Sequence, residues 1–202
     1  MTYSLSEVAD TLAQVPALLK LGKHLKPRPM DTTDCLAAQF EATAGRWPDR
    51  PAVISGGRTV NWGELNELVN RYAHTFKDVG LSHGDTASVM LENRVELIAT
   101  ILALGKLGVT AALINTGLVG RSLVHCASIT ASRLCVFGEE CLPAIGDVHP
   151  ELDMECGFYF VPDAGKVAVP AWAEDLARVS ADASAENPPD TGQVTLGDVA
   201  LN

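Results

Sequence analysis

The stretch between Thr86 and Ile114 constrains the fold most strongly, because it places a helix-length apolar segment between two short apolar runs. The runs are "TASVML" at 86–91 and "VTAALI" at 109–114, and each is too short and too well bounded to be a helix. The apolar residues of 94–107 cover too much of the circumference for a surface helix, which predicts a buried one. A strand, a helix and a strand in this order predict parallel strands joined by a right-handed crossover.

The same alternation continues toward the C-terminus. It predicts a helix near 120–130, a strand at 133–137, a short helix near 139–145, a strand at 156–161 and a helix near 171–179. The predicted fold class is therefore α/β, with a mostly parallel sheet flanked by helices and preceded by an N-terminal helix. We interpret 31–180 as one α/β subdomain. Residues 181–202 are predicted to be a surface linker, "SADASAENPPDTG", followed by the start of a further subdomain.

Three local signals fix element boundaries. Gly56-Gly57 separates two β-type runs and predicts a tight hairpin, whose central residues need positive φ. Asn61 with Glu64 three residues later predicts a capping box at a helix start. Asn93 with Glu96 predicts the same kind of start for the buried helix.

Residues 1–30 form a segment with an amphipathic pattern over 4–25 and a basic end. The basic residues there are Lys20, Lys23, Lys26 and Arg28. Two interpretations remain open. The segment is either a helix docked on the domain or an amphipathic element on an anionic membrane surface. The second interpretation corresponds to peripheral contact with the inner face of the membrane.

Charge and cysteine usage exclude several functional classes. The formal net charge of −10 argues against binding to nucleic acid, whose phosphates need Lys and Arg. No apolar run reaches the roughly 18 residues that span a bilayer, and the features of a signal peptide are absent. The five cysteines are odd in number and form no C-x-x-C pair, which is typical of reduced thiols and predicts a cytoplasmic protein. The cysteines and histidines also lack the spacing of zinc ligands.

Catalytic motifs are scarce in these 202 residues, which contain no G-x-x-x-x-G-K-[ST], G-x-G-x-x-G or G-x-S-x-G. Asn115, Thr116 and Gly117 follow the predicted strand 109–114 at its carboxyl end, where open α/β sheets bind ligands. Gly allows close approach of a ligand to the backbone, and Asn and Thr offer short polar groups. The alternative is a plain strand-to-helix turn with Thr116 as its cap.

The stretch from Arg50 to Glu140 resembles the N-terminal part of the adenylate-forming superfamily, which contains acyl-CoA synthetases, luciferases and peptide-synthetase adenylation domains. "MLENRVE", "KLGVTAALINT" and "LVHC" are most similar to the fatty acid transport protein and very-long-chain acyl-CoA synthetase branch. The similarity covers roughly Asp31 to Asn202. Gly117 departs from the branch, which usually has a second Asn there, and Val119-Gly120 replaces a more basic stretch.

The resemblance implies an ATP-dependent ligase. A fatty acid carboxylate attacks ATP to give an acyl-adenylate and pyrophosphate, and the CoA thiol then displaces AMP to give acyl-CoA; Mg²⁺ accompanies ATP. It also implies that Lys106, Asn115, Thr116 and Gly117 lie near the CoA entrance, with Lys106 facing CoA phosphates.

The resemblance places the phosphate loop, the adenine and ribose motifs and the catalytic lysine of the family beyond Asn202. We therefore expect no principal catalytic residue in this chain and no activity from it alone. An exposed apolar face that favours self-association is also expected. The alternative function is a non-catalytic α/β binding or membrane-associated module.

Overall fold

The computed structural model describes residues 15–16, 28–163, 167–198 and 200–201. The chain divides into two compact units, residues 1–30 and 31–202. Most of the helix expected over 4–25, and its basic end up to residue 27, lie outside the described residues. The account below concerns the second unit.

The second unit alternates helices and strands along the chain. Its helices are α1 (Leu36–Arg46), α2 (Trp62–Asp78), α3 (Val95–Lys106), α4 (Gly120–Ile129), α5 (Leu142–Val148) and α6 (Leu176–Val179). Its strands are β1 (Pro51–Ser55), β2 (Arg58–Asn61), β3 (Thr86–Met90), β4 (Thr110–Leu113), β5 (Leu134–Gly138), β6 (Phe158–Val161) and β7 (Glu174–Asp175). Short 3₁₀ turns cover Glu139–Cys141, His149–Glu151 and Pro189–Gln193.

Five strands form one parallel sheet in the order β4-β3-β5-β6-β7. The predicted unit over 86–114 is confirmed, because β3 and β4 pair in parallel with Thr86 opposite Thr110 and α3 connects them. The predicted α/β fold class with a mostly parallel sheet is confirmed as well. The sheet order follows from a chain that turns to one side of β3 for β4 and to the other side for β5.

The sheet separates two apolar cores, because successive side chains of a strand point to opposite faces. In β5, Val136 faces α2 and α3 on one side, whereas Phe137 faces α4 and α5 on the other. Both side chains are fully buried. This three-layer arrangement explains why the central strands are continuously apolar rather than alternating.

The local signals upstream of β3 are confirmed. β1 and β2 form an antiparallel hairpin in which Gly56 and Gly57 have φ of 56° and 80°. Asn61 Oδ1 accepts from Glu64 N at 2.8 Å, and Glu64 Oε2 accepts from Asn61 N at 2.9 Å. This reciprocal capping box starts α2, as Asn61 and Glu64 predict.

Two local expectations differ from the structure. The residue that caps α3 is Arg94 rather than Asn93, and its side chain makes no capping bond. The helix expected over 171–179 is limited to α6, and the short strand β7 precedes it. In both places a contact with a distant part of the chain determines the local structure instead. Arg94 pairs with Glu140, and β7 pairs with β6.

The segment 181–191 follows α2 closely, although its composition indicates a surface linker. Arg71 donates to the Ala183 carbonyl at 2.9 Å, and Lys77 bonds Asp190 at 2.7 Å. Asn70 Nδ2 donates to the Ala185 carbonyl at 2.7 Å. The polar side chains of α2 thus satisfy a backbone that lacks regular structure of its own.

Candidate functional site at the carboxyl edge of the sheet

The order of the strands marks one crevice as a candidate site. In a doubly wound sheet, ligands bind outside the carboxyl ends of the strands, at the point where the chain reverses its direction across the sheet. Here that point lies between β3 and β5, whose ends pair Met90 with Phe137. The residues that follow these two strands therefore form the candidate site.

A carboxylate of the protein itself bridges this crevice. Glu140, two residues after β5, accepts from the Glu92 backbone N–H at 2.7 Å. Its second oxygen accepts from Arg94 Nη2 at 2.6 Å. The side chains of Arg94 and Glu140 are 15% and 20% exposed, so solvent screens this ion pair only in part. A backbone donor and a guanidinium thus hold an anionic group at the β3–β5 edge.

The geometry around Glu140 also involves β5 and β6. A Cβ at Gly138 would lie 2.2 Å from Glu140 Oε2, so the carboxylate uses space that only glycine leaves open. Glu139 accepts from Asp163 N at 2.9 Å and ties the end of β6 to the same edge. Sequence reasoning missed this cluster. The signal that could have found it is the placement of Arg94 and Glu140 just after two predicted strands.

Asn115, Thr116 and Gly117 lie at the carboxyl end of β4, as predicted. Asn115 Oδ1 accepts from Gly117 N at 2.8 Å, which closes a local turn. Asn115 and Gly117 are exposed, and Thr116 is half-buried. Within this tripeptide the groups left for a ligand are neutral. A positive charge to bind a CoA phosphate would have to come from a neighbouring residue. Arg121, in the first turn of α4, is exposed and carries such a charge.

Lys106 is far from that loop along the sheet, because it ends α3 and precedes the amino end of β4. Its side chain is fully buried. The Nζ atom lies 2.9 Å from Glu41 Oε1, 2.6 Å from Asn70 Oδ1 and 2.9 Å from Asn66 Oδ1. Asn187 Oδ1 is a fourth neighbour at 3.1 Å.

The surroundings of Lys106 indicate a role inside the fold. Burial lowers its pKa below the usual value, while the hydrogen bond to Glu41 acts in the opposite direction. Its donors are directed at protein oxygens, and it does not share an edge with Asn115. The buried position of Lys106 gives no support to a direct contact with CoA phosphates. That contact, which the resemblance implies, stays a prediction.

The described residues contain no group of three or more His, Cys, Asp or Glu placed to hold a metal ion. No described helix has both the length and the hydrophobicity needed to cross a membrane. The crevice between β3 and β5 holds the carboxylate of Glu140.

The sequence profile of the AMP-binding enzyme family matches residues 40–196, which include the sheet and the β3–β5 crevice. The chain belongs to the AMP-binding enzyme family. Long-chain fatty acid transport protein 1 of Mus musculus is a similar relative, with 33% identity over 136 residues. That match covers 66% of this chain and 20% of the relative, so the AMP-binding chain spans about a fifth of the length of the relative.

Solved structures share the fold of this AMP-binding chain. A long-chain-fatty-acid-CoA ligase from Archaeoglobus fulgidus aligns with a TM-score of 0.69 and 20% identity, over 87% of this chain and 35% of the ligase. An anthranilate CoA ligase in complex with anthranoyl-AMP aligns with a TM-score of 0.75 and 15% identity, over 86% of this chain and 32% of that ligase. At these identities the likeness supports the fold alone.

Proposed function

We propose that residues 31–202 supply the first N-terminal subdomain of a long- or very-long-chain fatty acyl-CoA synthetase. The observation that carries the proposal is the family match across the whole parallel sheet, together with the similarity to a fatty acid transport protein. In this role the unit is a rigid scaffold on which the reacting parts of the enzyme are assembled.

The proposed reaction joins a fatty acid to CoA. ATP supplies the adenylate leaving group, Mg²⁺ offsets phosphate charge, and CoA supplies the thiol. The residues described here perform no chemical step in this proposal. They position the carboxyl edge of the sheet, where Asn115, Thr116 and Gly117 form a neutral border of the CoA entrance.

A pyrophosphate-release assay tests the proposal. The purified 202-residue chain, given ATP, Mg²⁺, CoA and palmitate, is expected to release no pyrophosphate above a sample without fatty acid. A polypeptide that continues through the phosphate loop and the C-terminal domain of the family is expected to release it. Fatty-acid-dependent release by the shorter chain would overturn the inactive-alone part of the proposal, and no release by the longer polypeptide would overturn the substrate assignment.

We propose separately that Asn115, Thr116 and Gly117 border the CoA entrance, because a different experiment tests this assignment. In the longer polypeptide, Thr116→Val is expected to raise the KM for CoA with little change in the KM for ATP. Ser128→Ala, a similar loss of one hydroxyl group on α4, is the matched control. An unchanged KM for CoA would remove Asn115–Gly117 from the proposal.

The non-catalytic alternative is a membrane-associated module, which the basic residues of 1–30 favour. If the chain is such a module, the full chain is expected to sediment with anionic vesicles. Replacement of Lys20, Lys23 and Lys26 by Gln reduces the bound fraction. Equal binding by both proteins would contradict a membrane role for this segment.

Self-association is proposed from exposed apolar side chains on the second unit, among them Val119 and Ile129, which are 65% and 73% exposed. Sedimentation velocity is expected to show a dimer that weakens in Val119→Ser with Ile129→Ser. A chain that stays monomeric at high concentration would contradict this.

A further inference from the structure

We propose that Arg46, Trp47 and Arg50, here called the guanidinium clamp, bind the phosphate headgroups of an anionic membrane surface. The clamp lies at the C-terminal end of α1 and in the turn that leads to β1. It is distinct from the carboxyl edge of the sheet, and it does not depend on the proposed function.

Two guanidinium groups contact one exposed indole ring. The Cζ atom of Arg46 lies 4.4 Å from the centroid of the Trp47 ring, and that of Arg50 lies 5.1 Å from it. All three residues are exposed, with Trp47 at 36%. A guanidinium held over a ring by a cation–π contact keeps N–H groups that can donate to a further partner.

Within the part of the chain that the structure describes, no carboxylate forms an ion pair with Arg46 or Arg50. The nearest acids in the sequence are Glu41 and Asp49. Glu41 is directed at the buried Lys106 instead, with 2.9 Å between Oε1 and Nζ. Among the described residues, Asp49 also forms no ion pair with either arginine, so two guanidinium groups share one ring in a chain whose formal net charge is −10.

The backbone holds the clamp in place before any partner binds. Trp47 N donates to the Thr43 carbonyl at 3.0 Å, and Arg50 N donates to the Trp47 carbonyl at 3.1 Å. On the opposite side, Trp62 N donates to the Arg50 carbonyl at 3.0 Å. A turn fixed at both ends loses little further backbone freedom on binding.

The combination of groups favours a lipid surface over a soluble anion. Phosphate oxygens accept from guanidinium groups, and Trp is enriched where a membrane meets water because its ring is apolar with one polar N–H. A free phosphate ion would use the two arginines and gain nothing from the exposed indole. A headgroup layer uses both, since the ring can enter the interface while the guanidinium groups stay with the phosphates.

Vesicle co-sedimentation of the full chain tests the proposal, with phosphatidylserine–phosphatidylcholine vesicles compared with pure phosphatidylcholine. Arg46→Gln with Arg50→Gln is expected to lower the affinity for anionic vesicles about 25-fold, since each basic residue near an anionic surface contributes about fivefold. Arg58→Gln with Arg121→Gln changes the net charge equally at exposed positions outside the clamp, one in β2 and one in α4. The only ion pair it breaks among the described residues joins exposed Arg58 to Glu96 at 3.8 Å. This control variant is expected to lower the affinity clearly less. Trp47→Ala is expected to weaken binding in the same assay at unchanged charge.

Each result bears on the proposal. A far-ultraviolet circular dichroism melt confirms that the variants are folded, and Trp47→Phe retains a ring if Trp47→Ala is unstable. Equal losses for the two double variants would overturn the clamp, because binding would then follow net charge alone. Saturable binding of inorganic phosphate at constant ionic strength, without binding to anionic vesicles, would overturn the membrane assignment.

Discussion

Glu140 and Arg94 join the ends of two adjacent strands through an ion pair of 2.6 Å, although they are 46 positions apart in the sequence. The same carboxylate accepts from the Glu92 backbone. The crevice that a doubly wound sheet usually offers to a ligand is thus occupied by a side chain of the protein itself.

Glu140→Ala is expected to lower the free energy of unfolding by about 2 kcal/mol, because it leaves a partly buried guanidinium and an N–H without their acceptor. Urea denaturation measures the loss. Formate is expected to restore part of it by entering the vacated space, whereas chloride at equal ionic strength is not. Glu151→Ala, at an exposed acid, is the control. A loss no larger than that of the control would contradict the role given to Glu140.

Lys106→Met is expected to cost about 3 kcal/mol, because it removes the charge that pairs with the Glu41 carboxylate and takes away the ammonium donor to the Asn66 and Asn70 side-chain oxygens. A double-mutant cycle with Glu41→Gln measures the coupling, which should reach about 1 kcal/mol or more for groups 2.9 Å apart. Additive losses would contradict a direct interaction.

The pH dependence of the Lys106 contribution has a defined sign. Because burial lowers the pKa of Lys106 in the folded chain, the unfolded chain holds more protons between that pKa and 10.5. The wild type should therefore gain stability relative to Lys106→Met as the pH rises through this window. A constant difference between the two proteins across the window would contradict the lowered pKa.

Arg71→Met is expected to release residues 181–191 from α2, because it removes the donors to the Ala181 and Ala183 carbonyl groups. Glutamyl endopeptidase cleavage after Glu186 reports the change, since proteases need a locally unfolded segment. Cleavage several times faster than in the wild type is expected. Lys77→Met, which removes only the exposed contact with Asp190, should have a smaller effect. Equal rates in all three proteins would show that the segment is not held by Arg71.

Two buried thiols predict instability at alkaline pH. Burial raises the pKa of Cys135 and of Cys141 from 9.0 to about 12, and for Cys141 the nearby carboxylates of Glu140 and Glu92 act in the same direction. Their contribution to stability is complete below pH 9 and is lost as the pH rises toward 12, because the unfolded thiols release their protons first. The limit is about 1.4 kcal/mol per pH unit for each thiol.

The variant Cys135→Ala with Cys141→Ala should show a shallower loss of stability between about pH 9 and about pH 10.5 than the wild type, in urea titrations at each pH. Cys126→Ala, which removes a thiol that is partly exposed, is the matched control for the loss of a thiol group. A double variant with the wild-type slope would assign the alkaline loss to other groups.

The sequence predicts most of this fold because its strongest signals are local. Asn61 and Glu64 are three residues apart and form their capping box without help from the rest of the chain. The hairpin at Gly56-Gly57 depends on two adjacent φ angles. The parallel order of β3 and β4 follows from a connection of one helix, whose handedness and length leave few alternatives.

The features that escaped prediction depend on partners far along the chain. Arg94 replaced Asn93 at the start of α3, and its guanidinium belongs to a contact with Glu140. Asn187 looked like part of a linker, yet it accepts from Asn66 across 121 positions. The resemblance implies that Lys106 faces CoA phosphates, which stays a prediction, and neither spacing nor periodicity shows the protein oxygens that surround its Nζ atom.

The contact at the outer side of β4 has a consequence for aggregation. Ala111 N donates to the Ala200 carbonyl at 3.0 Å, and Ala111 and Leu201 form a parallel bridge. An open edge strand presents unpaired N–H and carbonyl groups that can recruit a strand from another molecule, and proteins protect such edges by keeping them short or covered. Here a four-residue strand is covered in part by its own chain, so a foreign strand would first have to displace residues 200–201 before amyloid-like pairing could start at this edge.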